Sequence, residues 1–306
     1  AIVLSPLGYL GYLGVVWAHT GSPTGWFRIQ NEGWGTHIDW GVAAFNFINQ
    51  TLVGSGEVAA TGTAWVMLAS VAMIAQRYMH EYGATSADFG VVSVADRKHA
   101  ANNPKAHFYG KPITLEDHQN SKWIMEPVLR LLDCCQESDG GVAILVTSLE
   151  RARDLRQKPV RLLGATQSIP YNVEVISNFY HDDLTVMPEA CGVAKRLWRQ
   201  TGLQPSEMQT AMIYDAFTPQ VLMQLEAFGF CKPGEAKDFV KDGHIELGGS
   251  LPINTNGGLI GEAYIHGMNN MIEGVRQVRG TSVNQVQRVQ NVLVSSGMAA
   301  AVLSRD

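Results

Sequence analysis

The stretch NTNGGLIGEAYIHGMN, residues 254–269, is the most informative part of this 306-residue chain. Its adjacent glycines, Gly257 and Gly258, precede a segment of helical pattern at 262–279, which Gly280 is expected to end. Two glycines ahead of a helix let the backbone approach a ligand closely and expose N–H groups. The stretch therefore predicts a loop that either contacts a ligand or makes a tight turn without one.

Patterns typical of strands and helices alternate on both sides of this loop. Alternation of this kind predicts an α/β fold with a largely parallel sheet and helices on both faces. Pro159 ends a charged segment of helical pattern at 149–158, and we place a domain boundary there, giving domains 1–158 and 159–306. The expected strands are 141–148, 160–167, 211–217, 291–296 and 299–304.

The composition excludes several classes of protein. The net charge of −5 and the absence of a basic run with interleaved aromatics argue against a nucleic-acid partner. Four cysteines without a C-x-x-C spacing argue against a disulfide framework and a zinc site, and they favour a reducing, cytoplasmic location. No glycine-rich dinucleotide or P-loop motif is present, so redox or phosphoryl chemistry that depends on a nucleotide has little support.

The N-terminal quarter has an unusual composition, with five of the seven tryptophans in the first 76 residues. Residues 1–20 and 58–75 carry no charge and are long enough to be membrane spans. Pro6 and nearby glycines punctuate the first run as they would strands and turns, so we favour buried core and do not expect membrane insertion.

Three segments carry a resemblance to a known family: 133–148, 214–231 and 254–280. In this order they resemble the thiolase superfamily, and specifically the lipid-transfer-protein branch that includes steroid side-chain aldolases and relatives of sterol-carrier thiolases. The resemblance implies a thiolase-like fold of two similar halves with largely parallel sheets layered between helices. It also implies a homodimer joined to an OB-fold, zinc-ribbon partner protein. Residues 1–75 have no match to the family, and we expect the first half to be incomplete or divergent.

The departures from the family pattern concern its catalytic residues. A working thiolase has a nucleophilic cysteine, an asparagine, a histidine and a second cysteine near the C-terminus. Here Tyr214 stands in the place of the asparagine and Tyr264 in that of the histidine, while the last strands carry Ser295 and Ser296 and no cysteine. Covalent acyl transfer needs an activated thiolate beside a base, so thiolase chemistry is not expected.

The resemblance to steroid aldolases implies chemistry based on tyrosine. A retro-aldol cleavage of a β-hydroxyacyl-CoA would release a short acyl-CoA such as propionyl-CoA. It needs a base, an acid and an oxyanion site, with no metal or redox cofactor and with coenzyme A only as part of the substrate. Tyr264 is the first candidate, because a helix N-terminus would stabilise its phenolate. Tyr214, Tyr180 and His266 are the others, with His266 expected on another side of the helix from Tyr264.

Each candidate also has a structural interpretation. Tyr264 and Tyr214 could be packing aromatics, Tyr180 could be a surface residue, and His266 could be a solvated helix residue. Asn256, Gly257 and Gly258 are expected to bind the pantetheine or thioester end of the acyl-CoA substrate. A non-catalytic lipid- or acyl-CoA-binding protein is the alternative function, and a thiolase whose cysteine lies elsewhere is the third.

Overall fold

The computed structural model describes residues 17–18, 21–22, 56–136, 138–168 and 183–306. The chain divides into two compact units, residues 1–65 and 66–306, and the fold below is that of the second unit. The predicted boundary at 158 lies inside that unit and stays a prediction. Most of the tryptophan-rich quarter and Tyr180 lie outside the described residues. Within the described ranges, no helix is both long and apolar enough to cross a membrane.

Two long helices begin the described part, α1 at Gly56–Tyr82 and α2 at Ser86–Asn102. Thr85 caps α2, and it forms a reciprocal capping box with Asp88. Buried side chains lie all around α2, both apolar ones such as Phe89 and polar ones such as Asp96. Helix α2 is therefore an interior element that reaches the loops of the C-terminal part.

A short segment then leads to the candidate site. It contains α3 at Leu115–Gln119, the antiparallel strands β1 at Trp123–Met125 and β2 at Leu129–Arg130, and a 3₁₀ turn at Leu131–Asp133.

The buried Asp133 carboxylate anchors this segment. It lies 2.8 Å from Nε2 of His118 and accepts a 2.6 Å hydrogen bond from the hydroxyl of Thr218. Because all three side chains are fully buried, they hold the chain ahead of Cys134 against the helix that Thr218 begins.

The main sheet has four strands: β3 at Val160–Gln167, β4 at Thr210–Ile213, β5 at Asn291–Ser295 and β6 at Ala299–Arg305. Their order is β3-β6-β5-β4. Only β4 and β5 pair in parallel, whereas β6 is antiparallel to both β5 and β3. The expectation of a largely parallel sheet is therefore wrong for this sheet. The reason is local, since the three residues between β5 and β6 are too few for a crossover and force an antiparallel pair.

Helices cover both faces of the sheet, as predicted. They are α5 at Pro188–Thr201, α6 at Thr218–Ala227, α7 at Ala236–Phe239, α8 at Gly258–Gly261 and α9 at Met268–Arg279. Alternate residues of β4 separate the two faces: Ile213 packs in the core with α2, α5 and α6, whereas Met212 packs in a second cluster with Val278 of α9. Gly202 ends α5 and Gly280 ends α9, both in the left-handed conformation, and the end at Gly280 is as expected.

The predicted strand at 141–148 does not form. Its backbone has no strand partner among the described residues, and the side chains of Leu145 and Val146 are 81% and 77% exposed. A β-branched run becomes a strand only when another strand accepts its hydrogen bonds, which the sequence pattern cannot reveal. The helix that follows, α4 at Leu149–Arg153, is also shorter than the predicted 149–158.

Candidate active site

Tyr214 lies at the end of β4, where a parallel strand delivers side chains to a functional edge. Its position is fixed on both sides by side-chain amides. Nε2 of Gln224 donates a 2.8 Å hydrogen bond to the Tyr214 carbonyl oxygen, and the N–H of Ile213 donates to Oδ1 of Asn254 at 2.8 Å. These contacts leave the half-buried phenol free to point towards the loop after α8.

A chain of three polar groups lies at this edge. The hydroxyl oxygens of Tyr214 and Tyr264 are 2.9 Å apart, and the Tyr264 hydroxyl lies 3.2 Å from Nδ1 of His266. His266 is exposed, so the chain runs from the half-buried phenol of Tyr214 to solvent. Three of the four predicted catalytic residues thus meet, and the fourth, Tyr180, lies outside the described residues.

The loop that carries Tyr264 and His266 differs from the prediction. Helix α9 begins at Met268, not at 262, so Tyr264 lies four residues before the helix. The N-terminus of α9 therefore does not stabilise a phenolate at Tyr264. His266 and Gly267 have φ angles of +46° and +78°, which no helix accommodates. This turn brings the ring of His266 onto the same side as that of Tyr264, contrary to the expectation.

The environment of the two phenols keeps them protonated. Burial raises the pKa of Tyr214 well above its ordinary value, and the hydrogen bond with Tyr264 raises it further. Burial also raises the pKa of Tyr264. The lowered pKa required for a tyrosine base is therefore not found, and the two side chains are neutral groups that donate hydrogen bonds or pass a proton along.

Three residues that the sequence analysis did not single out contribute to this site. Oγ of Ser138 accepts a 3.2 Å hydrogen bond from the N–H of Tyr264. The thiol of Cys135 is close enough to influence the pKa of both tyrosines. A Cβ at Gly267 would lie 3.1 Å from Cδ2 of Tyr214, so only glycine lets this loop approach the ring. Ser138 and Cys135 precede the two tyrosines by about 80 to 130 residues, so no local sequence pattern connects them to the site.

The adjacent glycines of the opening stretch are engaged within the chain. The N–H of Gly257 donates to the carbonyl oxygen of Asn254 at 2.8 Å, and that of Gly258 donates to Oδ1 of Asn256 at 3.2 Å. A Cβ at Gly258 would lie 2.2 Å from Oδ2 of Asp215. Tight packing thus accounts for these glycines, and their contact with a substrate stays a prediction.

Asn256 is 1% exposed, and its Nδ2 donates to Glu262 at 2.6 Å and to Asn270 at 3.1 Å. Beside it lies a cavity of about 80 Å³, also lined by Lys105 and Arg276. Ligand pockets usually hold about 300 to 1,000 Å³, so this cavity is too small for an acyl-CoA. The predicted role of Asn256 in substrate binding stays untested. Among the described residues, no cluster of three or more His, Cys, Asp or Glu side chains is placed to hold a metal ion.

Neither Ser295 nor the three cysteines Cys134, Cys191 and Cys231 is placed or activated as a nucleophile. Ser295 is buried, and its hydroxyl donates to Oε1 of Gln224 at 3.0 Å. Burial raises the pKa of Cys134 and of Cys231 to about 12 in each case, and it also raises the pKa of Cys191. A thiol with a raised pKa is a poor nucleophile at neutral pH, so these three cysteines give no support to acyl transfer.

Comparison with known proteins identifies relatives of the chain. Residues 173–304 match the thiolase C-terminal domain-like family. The chain is 64% identical over 229 residues to the 17-hydroxy-3-oxo-4-pregnene-20-carboxyl-CoA lyase of Mycobacterium tuberculosis, a match that covers 75% of this chain and 59% of the lyase. It is 61% identical over 227 residues to the steroid side-chain-cleaving aldolase of Thermomonospora curvata, covering 74% and 58% of the two chains.

Two solved structures are also similar to the chain. The structure described as Ltp2-ChsH2(DUF35) aldolase superposes with a TM-score of 0.76 at 57% identity, covering 78% of this chain and 64% of that one. A monomeric SCP2-thiolase-like protein of Mycobacterium smegmatis, at 17% identity and a TM-score of 0.54, covers 78% of this chain and 51% of that protein, and it shares the fold alone. These likenesses confirm the predicted thiolase-like fold. The chain spans less than two thirds of the length of each of these relatives.

Proposed function

Because this chain belongs to the lipid-transfer branch of the thiolase superfamily, we propose that it is a carbon–carbon lyase that cleaves a β-hydroxyacyl-CoA by a retro-aldol reaction. The observation that carries the proposal is the hydrogen-bonded chain from Tyr214 through Tyr264 to His266. It supplies a path for a proton at the place where thiolases hold an asparagine and a histidine. The high identity to a steroid-CoA lyase and to a steroid aldolase supports a steroid side chain as the acyl group.

The proposed reaction needs one proton taken and one proton returned. The hydroxyl proton on Cβ of the substrate leaves to the Tyr264 oxygen while the Tyr264 proton moves to Nδ1 of His266. The Cα–Cβ bond then breaks, Cβ becomes a ketone, and the bonding electrons form the thioester enolate. The proton returns along the same path to Cα, which yields the ketone and a shorter acyl-CoA, propionyl-CoA in the case of a three-carbon fragment.

Neutral phenols suit this mechanism better than a phenolate would. A phenol that accepts one proton as it passes on another acts as base without ever carrying a full charge in its half-buried position. The Tyr214 hydroxyl can donate a hydrogen bond to the developing enolate oxygen or to Tyr264. His266 completes the path because its exposed ring can hold the proton in contact with water.

The proposal includes the partners that the family resemblance implies. We propose a cytoplasmic homodimer that binds a small OB-fold, zinc-ribbon protein beside the acyl site. The description of the similar solved structure, Ltp2-ChsH2(DUF35) aldolase, names two components, which supports a heteromeric assembly. Coenzyme A would enter only as part of the substrate, and the adjacent glycines with Asn256 would lie near its thioester end.

The test is turnover of a steroid-CoA by the full chain, with and without a DUF35 partner protein. The substrate is 17-hydroxy-3-oxo-4-pregnene-20-carboxyl-CoA, the compound named for the similar lyase, and the product is propionyl-CoA measured by chromatography. Tyr264→Phe is expected to lower kcat by about 10²- to 10⁴-fold with little change in substrate binding.

Tyr109→Phe is the matched control, because the Tyr109 side chain is 55% exposed and does not take part in the hydrogen bonds that join Tyr214, Tyr264 and His266. It is expected to keep full activity. Full activity of Tyr264→Phe would refute the mechanism. Absence of product from the unaltered chain with its partner, together with retained acyl-CoA binding, would favour a non-catalytic lipid- or acyl-CoA-binding protein instead.

A further inference from the structure

Two buried carboxyl groups lie directly behind the site. Asp96 is on α2, and Asp215 follows Tyr214 in the chain; the side chains of both aspartates are fully buried. The two carboxyls are near enough to each other that each influences the pKa of the other. Two carboxylates that share a dry site repel each other strongly unless one of them holds a proton.

Asp215 has the hydrogen-bond pattern of an ionised carboxylate. Its Oδ2 accepts from the N–H groups of Leu259 and Ile260 at 2.7 and 3.0 Å, and Nδ2 of Asn270 lies 3.4 Å from its Oδ1. These donors satisfy both oxygens of an acceptor that carries a negative charge. Asp215 thereby ties the end of β4 to the loop that begins with the adjacent glycines.

Asp96 has the opposite pattern. Its Oδ2 accepts a 3.4 Å hydrogen bond from Nδ2 of Asn254, whereas its Oδ1 receives none from any donor of the described residues. A buried carboxyl oxygen that receives no hydrogen bond is satisfied when it carries the proton itself and donates it to the neighbouring carboxylate of Asp215. Burial and the neighbouring Asp215 raise the pKa of Asp96, in agreement with this assignment.

The basic residues next to Asp96 in sequence do not neutralise it. The guanidinium of Arg97 lies 3.6 Å from the centre of the Phe108 ring and donates to the carbonyl oxygen of Lys111. Lys98 pairs with Glu246 at the surface. His99 accepts a hydrogen bond from a backbone N–H elsewhere, and burial lowers the pKa of His99 to about 4, so it is neutral. A proton is then the remaining means of offsetting the second charge among the described residues.

We propose that Asp96 is a positioning residue, a neutral acid whose hydrogen bond to Asp215 fixes Asp215 on the N–H groups of Leu259 and Ile260 and so holds Tyr214 towards Tyr264. This inference rests on the proposed function only for its effect on turnover. The protonation of Asp96 and the rigidity of the glycine loop are properties of the folded chain. They can be measured whether or not the chain is an enzyme.

The experiment compares the full chain with Asp96→Asn and Asp96→Ala, with Asp154→Ala as a control at an exposed aspartate. Three measurements are made at neutral pH: the infrared carbonyl band of a protonated carboxyl, the hydrogen exchange of the Leu259 and Ile260 amides, and kcat and KM with the steroid-CoA. Asparagine keeps an N–H donor for Asp215 with the same shape, whereas alanine removes it.

We expect the infrared band to disappear in Asp96→Asn while amide exchange stays slow and kcat stays within about threefold of the unaltered chain. In Asp96→Ala both amides are expected to exchange faster. Its kcat should fall by about 100-fold with a much smaller change in KM, as for a displacement of about 1 Å at a reacting group.

Three results would overturn the inference. The first is that Asp96→Asn loses no infrared band of a protonated carboxyl. The others are that the kcat of Asp96→Asn falls as far as that of Asp96→Ala, or that Asp96→Ala keeps unaltered amide exchange and kcat. If Asp96→Ala does not fold, the infrared band and the activity of Asp96→Asn still test whether Asp96 is a neutral positioning residue. If the unaltered chain shows no turnover, the proposed function fails. The infrared band and the exchange of the Leu259 and Ile260 amides then still test the protonation of Asp96 and its effect on the glycine loop.

Discussion

Replacing Tyr214 and Tyr264 by phenylalanine, singly and together, tests whether the two phenols act as one proton path. Each substitution removes one of two hydroxyl oxygens that lie 2.9 Å apart, and it leaves the ring contact in place. Loss of one neutral, half-buried hydrogen bond should cost about 1 kcal/mol of folding free energy, so the variants should fold.

The expected loss of activity is much larger than this loss of stability. Removing a group that transfers a proton in the transition state typically costs about 10²- to 10⁴-fold, and a 10³-fold loss corresponds to about 4 kcal/mol. If Tyr214 acts by donating its hydrogen bond to Tyr264, which passes the proton to His266, either single variant disables the same step, and the double variant should lose no more than the worse single variant. If the phenols acted independently, losses of about 10³-fold each would multiply to about 10⁶-fold, or about 8 kcal/mol.

The assay is the initial rate of propionyl-CoA release from the steroid-CoA, measured as kcat/KM for the unaltered chain, both single variants and the double variant with the same partner protein. Melting temperatures accompany each rate, so that a folding defect is separated from a chemical one. Multiplicative losses, or a single variant with unaltered kcat/KM, would show that the 2.9 Å contact between the phenols is not a catalytic unit.

Three further predictions concern stability and specificity. Gly258→Ala should lower the free energy of unfolding by about 2 to 5 kcal/mol, because alanine at a φ of +63° is strained and its Cβ would lie 2.2 Å from the Asp215 carboxylate. Burial lowers the pKa of His99 to about 4, against 6.5 in the unfolded chain, so the unfolded chain is protonated more readily. The contribution of His99 to the free energy of unfolding therefore falls as pH drops below about 6.5. The stability difference between the unaltered chain and His99→Gln should therefore shrink by about 2 kcal/mol between pH 7.5 and pH 5. Ser295→Cys should not create thiolase activity, because the side chain is buried against Gln224.

Each of these has a contrary outcome. Chemical denaturation showing Gly258→Ala as stable as the unaltered chain would contradict the close approach of the glycine loop to Asp215. A stability difference for His99→Gln that does not change with pH would mean that folding does not lower the pKa of His99. Other titrating groups contribute equally to both proteins, so they cancel in this comparison. An acyl-enzyme detected by mass spectrometry in Ser295→Cys would restore the thiolase interpretation.

Local chemistry made several features predictable. Thr85 and Thr114 start their helices because their side chains accept the first backbone N–H groups, and Gly202 and Gly280 end theirs because glycine tolerates a positive φ. The strands at 160–167, 291–296 and 299–304 are also confirmed within a residue or two. All of these depend on interactions between residues close in sequence.

Features that depend on distant partners were not predictable in the same way. The run at 141–148 has the composition of a strand but no neighbour to pair with among the described residues. The loop at 262–267 has a helical pattern, yet His266 and Gly267 adopt positive φ angles. That turn lets the Tyr264 loop approach Tyr214, which lies 50 residues earlier in the chain. Hydrophobic periodicity shows which face of an element is apolar. It does not show whether a strand will find a partner or whether a loop will adopt positive φ angles.

From the sequence alone, the resemblance to the thiolase superfamily predicted that Tyr214 and Tyr264 stand where a thiolase has its asparagine and histidine. The sequence also predicted the α/β alternation and the helix ends that a capping threonine or a C-terminal glycine marks, since these follow from local backbone preferences. Only the tertiary structure decided that Tyr214, Tyr264 and His266 form one hydrogen-bonded chain, that burial keeps both phenols neutral, and that Asp96 faces Asp215 behind them. The physical reason is that proton affinity and hydrogen bonding depend on which distant groups exclude water from a site, and folding alone brings those groups together.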